Sequence, residues 1–71
     1  MTIQEIGNYI RERRKMLDIT QPDLAEMAGI SINTLYKLER GEANPSVKVL
    51  SKIGEVLGME VSIGIKNIIN P

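Results

Sequence analysis

Between Ser31 and Arg40 the chain reads SINTLYKLER. At helical spacing Leu35 and Leu38 turn to one side, and Ile32, Asn33, Tyr36 and Lys37 gather on the other. That outer side offers an amide that both donates and accepts, an ammonium with three donors and a β-branched apolar group. Such a set is either an ordinary solvated face or a surface that reads the polar and apolar edges of a partner.

Other chemistry is poorly provided for. There is no Cys and no His among the 71 residues, which removes disulfides, thiolate nucleophiles, the commonest general base and the commonest metal ligand. The carboxylates have no partner constellation, and no phosphate-cradling Gly loop exists. The expectation is a protein that is not an enzyme and holds no cofactor and no metal. Nine Lys and Arg balance nine Asp and Glu, so any affinity for an acidic partner must come from where Arg11, Lys15, Lys37, Arg40 and Lys48 are placed. No apolar run approaches the roughly 20 residues a bilayer demands. Nothing resembles an export leader, so a cytoplasmic protein is expected. A chain this small hides only about 60% of its unfolded surface, and a second subunit would help it.

Four elements must position the outer face. Thr2 and Glu5 have capping-box spacing and open a helix that runs to about Leu17. Ile3, Ile6, Gly7, Ile10 and Leu17 line one face of it, with Arg14 in their midst. A guanidinium there requires a buried carboxylate or carbonyl. Thr20 caps a second helix from Gln21 to Ala28, with Pro22 harmless in the first turn and Gly29 as its terminator. Ser31 caps a third, to about Arg40, and Gly41 stops it. After the loop GEANPS, Ser46 caps a fourth that ends at Gly58. Its apolar residues cover nearly half the circumference, and Val49 and Val56, at the edge of that arc, are candidates for a second interface.

From Met59 the apolar period becomes two, through Val61, Ile63 and Ile65. One strand without a partner leaves its backbone unpaired. The same strand from a second copy, antiparallel across a two-fold axis, would pair it; a frayed tail is the other reading, and residues 67–71 trail off in either case.

Two short helices joined by a tight Gly turn make a helix-turn-helix arrangement. Taken together, IRERRKMLDI, TQPDLAEMAGISINTLYKLERG and NPSVKVLSKIGEVLG resemble the lambda-repressor/Cro-like (XRE-type) helix-turn-helix family of bacterial and phage regulators. The resemblance covers residues 3–58 and rests on Arg14, Thr20-Gln21, Leu24-Ala25, Ala28-Gly29-Ile30-Ser31, Glu39 and Gly41. It implies an all-α, four-helix DNA-binding domain over residues 1–58, with 59–71 as a short dimerisation strand, and a regulator of transcription, a repressor by expectation.

Position by position, the resemblance gives Gln21 a phosphate contact, although simple first-turn polarity would also explain a Gln there. It lays helix three in the major groove. Ser31, Ile32, Asn33 and Lys37 then match positions that touch bases or the adjoining sugar-phosphate, and Thr34 and Arg40 match backbone contacts. Tyr36 shares the face and either joins the contact or packs over the helix edge. Arg14 would pair with Glu39. Residue chemistry agrees: Asn suits adenine, Lys the guanine acceptors and Ile a thymine methyl. The expected partners are a roughly palindromic double-stranded operator and a second copy of the chain. The helix-then-strand ending resembles the Hip-type antitoxin subgroup, which implies the alternative of a toxin partner.

Overall fold

The computed structural model describes residues 1–65. Its helices are α1 (Ile3–Met16), α2 (Gln21–Ala28), α3 (Ile32–Glu39) and α4 (Val47–Leu57). Each begins on a hydroxyl cap: Thr2, Thr20, Ser31 and Ser46 accept from the backbone N–H groups of Glu5, Asp23, Thr34 and Val49. Caps of this kind contribute about 1 kcal/mol apiece, a sizeable help to helices as short as α2 and α3. Among the described residues, no helix is long and apolar enough to cross a membrane.

Gly29 closes α2 at φ 70°, a left-handed conformation that lets the Ile30 N–H reach Ala25 O at 3.0 Å and turn the chain directly into α3. The turn after α1 uses the same left-handed geometry without a glycine. Asp18 sits at φ 59° while the Ile19 N–H donates to Arg14 O at 3.0 Å. Leu17, expected on the buried face of α1, instead caps the helix and stays 41% exposed, because the turn swings it off the stripe. Helix three ends one residue before the expected Arg40, which serves as its C-cap.

The core is formed by Leu24, Leu35, Leu38, Ile53 and Leu57, each under 2% exposed, with Ile10, Ala25 and Ala28 beside them. α1 crosses α3 at Gly7, where a Cβ would strike Leu38 O and lie 3.1 Å from Glu39 O. Arg14 enters this core with its charge satisfied. Nε and Nη2 grip the two Glu39 oxygens at 2.7 and 2.9 Å, and Nη1 donates to Ile19 O at 2.9 Å. Among the described residues, no buried side-chain polar atom lacks a partner.

The C-terminal part bears on two expectations, whose pairing lies between copies of the chain. Residues 59–65 form no strand within the chain. Gly58, at φ 70°, turns the chain back, so that the Met59 N–H donates to Gly54 O at 2.9 Å and Met59 packs on the core rather than starting an alternating ladder. Only beyond it do Ile63 and Ile65 stand almost wholly in solvent, at 97% and 101%. Val49 and Val56 are half-buried against the chain's own core, and their remaining surface is exposed. Lys66 and residues 67–71 lie outside the described residues.

Two substitutions test this packing. Gly7→Ala forces α1 away from a backbone carbonyl, an overpacking of about 1–3 kcal/mol that offsets or exceeds the roughly 1 kcal/mol of helix propensity gained. Its melting temperature should fall below that of wild type, while Gly64→Ala, whose surroundings are open, leaves it unchanged. Arg14→Ala strands the Glu39 carboxylate and should cost about 3–5 kcal/mol. Denaturant unfolding measures that loss, and an unchanged midpoint would contradict the role assigned to the pair.

Candidate nucleic-acid interface

The helix-turn-helix pair presents the outer side of α3 because its inner side is fully committed. Leu35 and Leu38 are 0% exposed and Glu39 is 6% exposed, whereas Ile32 is 49% and Tyr36 46% exposed. Asn33 and Lys37 are exposed too, and among the described residues neither side chain is tied to another by a hydrogen bond. Four side chains thus form one protruding face with free donors, one amide acceptor and an apolar group between them.

Other predicted site residues have work inside the chain. The Ser31 hydroxyl accepts from the Thr34 N–H at 3.0 Å and donates to Thr34 Oγ1 at 2.8 Å, so both side chains are engaged in starting α3. Arg40 lies 5.4 Å from the Tyr36 ring centroid and donates through Nε to Glu42 at 3.2 Å. That ion pair is half exposed on both sides, and surface pairs of this kind are worth little and are easily exchanged. The stacking fixes Tyr36 and Arg40 as a unit on the C-terminal half of α3, a relation that the spacing of four residues permits but does not dictate.

Gln21 opens α2, beside the partial positive charge of its N-terminal amides. Its Nε2 donates to Glu39 Oε1 at 3.0 Å, and the same oxygen receives Arg14 Nη2. One carboxylate therefore joins α1, the start of α2 and the end of α3. The hydrogen bonds from Arg14 to Glu39 also raise the guanidinium pKa above its usual range. Nε2 carries a second hydrogen, so its bond to Glu39 does not exhaust the amide. Sequence reasoning singled out Arg14, Glu39 and Gln21 but not the link between the last two, which only the approach of α2 to α3 creates. It also missed Arg13, whose Nε donates to Leu57 O at 2.8 Å and closes the end of α4. A basic residue next to Arg14, one position off the apolar stripe, was the available signal.

Among the described residues, no group of acidic side chains is placed to hold a metal ion. The arrangement can bind: free hydrogen-bonding groups on a rigid helix, an amide at a helix N-terminus and a stacked guanidinium suit a polar, anionic and extended partner.

Known proteins carry the same design. The helix-turn-helix family model HTH_3 matches residues 10–63. A Methanothermobacter thermautotrophicus protein, named as an uncharacterized HTH-type transcriptional regulator, is 43% identical over 51 residues, covering 72% of this chain and 74% of its own length. A Methanococcus maripaludis protein whose given name places it with HTH-type transcriptional regulation is 44% identical over 59 residues. The match spans 83% of this chain but only 18% of that longer relative. Among solved structures, the restriction-modification controller protein C.AhdI of Aeromonas hydrophila superposes with a TM-score of 0.79 at 28% identity, over 82% of this chain and 88% of that one. The clp gene regulator ClgR of Corynebacterium glutamicum reaches 0.81 at 30% identity, over 86% of this chain and 78% of its own. On the breadth of the family match, this chain belongs to the HTH_3 helix-turn-helix family, the lambda-repressor/Cro-like (XRE-type) class.

Proposed function

We propose that this chain binds double-stranded DNA sequence-specifically as a small transcriptional regulator, with repression as the expected mode, and with α3 in the major groove. The observation that carries the reading is the free outer face of α3: Asn33 and Lys37 are exposed and uncommitted on a helix whose other side is locked into the core. In the groove Asn33 pairs with adenine, Lys37 donates to guanine and Ile32 packs on a thymine methyl. Gln21, Thr34 and Arg40 hold the sugar-phosphate backbone, with Ser31 at the groove entrance and Tyr36 beside it. The protein binds rather than catalyses, and it acts in the cytoplasm, where the duplex is.

The working unit in this reading is a homodimer. Val61, Ile63 and Ile65 expose apolar surface on an arm that forms no strand among the described residues, and an apolar groove of about 490 Å³ runs beside it, walled by Ile6, Tyr9, Ile10, Leu50 and Met59. A second copy supplies both a pairing arm and a cover for the groove, with the exposed edges of Val49 and Val56 adjoining. Two-fold symmetry then sets the recognition helices on half-sites about 34 Å apart, and the operator is roughly palindromic.

Selection of bound sites from random duplexes tests the reading. Wild type should return a defined motif, and Lys37→Ala should change that motif at one position, a discrimination of about 1–3 kcal/mol. Gln21→Ala should weaken all sequences alike; identical motifs and affinities for wild type and Lys37→Ala would remove α3 from the groove. Deleting residues 61–71 keeps Met59 on the core and should shift the chain toward monomer in sedimentation, and an intact dimer would refute the pairing arm.

A further inference from the structure

A second polar feature lies beside the recognition face and is left unused by it. α1 crosses α3 so closely at Gly7 that the side chains on either side of the crossing, at Gln4, Asn8 and Arg11, stand along one edge of the contact. They follow one another at spacings of four and three, hence on one helical face. Opposite them are Tyr36 and Arg40 of α3, and Gln21 and Glu39 close the floor. Together these walls form an open cleft of about 370 Å³.

Its chemistry is that of an anion seat. Two guanidinium groups and three side-chain amides line it, and among the described residues Glu39 is the only carboxylate there. That carboxylate is held by two Arg14 bonds from behind and by Gln21 from the side, so its charge is neutralised before a ligand arrives. Stacking on Tyr36 keeps Arg40 over the cleft, and its exposed bond to Glu42 can be exchanged for a stronger, charge-assisted one. Arg11 is exposed, and among the described residues no ion pair involves it.

We infer that this cleft seats one backbone phosphate of the bound duplex, with Arg11, Asn8 and Gln4 of α1 supplying a wall of contacts that joins those of Gln21 and Arg40. The inference rests on the duplex-binding reading above and extends the backbone contact to the first helix. A phosphodiester fits better than a free anion, because the cleft opens on the same side as the N-terminus of α2 and the C-terminal half of α3, and Gln21 and Arg40 belong to both surfaces. A chain with balanced charge gains from such placement: it gathers cations where a phosphate passes and needs no general excess of them.

Arg11→Ala tests this on the selected duplex, and Lys52→Ala, which removes an exposed α4 charge that does not line the cleft, is its control. Arg11→Ala should lower the slope of log affinity against log salt by about one and weaken all sequences equally, while Lys52→Ala leaves the slope unchanged. A duplex series with one neutral methylphosphonate linkage moved along each strand locates the contact: one position that weakens wild type should cost Arg11→Ala nothing further. An unchanged slope for Arg11→Ala, an equal drop for Lys52→Ala, or a methylphosphonate profile identical in wild type and variant would overturn the seat while leaving duplex binding intact. A wild-type chain that binds no duplex overturns both.

Discussion

The bidentate bond between Arg14 and Glu39 is the constraint around which the molecule is organised. Glu39 is the last residue of α3, and its side chain, 3% exposed, receives α1 through Arg14 and α2 through Gln21. Three helices that share few residues of sequence are thereby fixed at one point. A buried pair of this kind adds little stability over an apolar replacement, but it is directional where dispersion is not. The orientation of α3 about its own axis, which decides the residues it presents, follows from where a carboxylate must meet a planar guanidinium.

Around that point the packing is close rather than extensive. Glycines rather than larger residues stand where backbone meets backbone: Gly7 under the end of α3, and Gly54 under Met59, where a Cβ would come within 2.6 Å of the Met59 carbonyl. The second of these contacts returns the chain onto α4 and marks where the fold stops using its own residues. Past it, Val61 still borders the apolar groove, while Ile63 and Ile65 stand almost wholly in solvent. A domain of this size has few apolar contacts to spare, and the proposed second copy gives this arm a use.

Much of the fold was legible because its local signals are strong and independent. The hydroxyl caps at Thr2, Thr20, Ser31 and Ser46, and the glycines at 29 and 58, mark helix ends by chemistry that acts within a few residues. The need of Arg14 for a partner was also readable, since an unpaired guanidinium on an apolar stripe is too costly to persist. What escaped was set by tertiary approach or by unusual backbone. Leu17 left the stripe because Asp18 takes a left-handed turn more typical of glycine or asparagine. The alternation after Met59 is real in the sequence, and the ladder proposed for it needs the neighbouring strand of a second copy. For the candidate interface, the exposure of Asn33 and Lys37 followed from periodicity, whereas the bond from Gln21 to Glu39 and the cleft along α1 depend on how α1 and α2 meet α3.

The separation between the two sides of α3 has a consequence for how such a protein changes over generations. Ile32, Asn33, Tyr36 and Lys37 lie outside the buried core, and the residues that hold the helix in place lie elsewhere. Mutational drift on the outer side therefore meets little resistance from folding. A lineage built on this scaffold can retarget itself by exchanging a handful of side chains, each intermediate remaining viable, while the interior stays under purifying pressure.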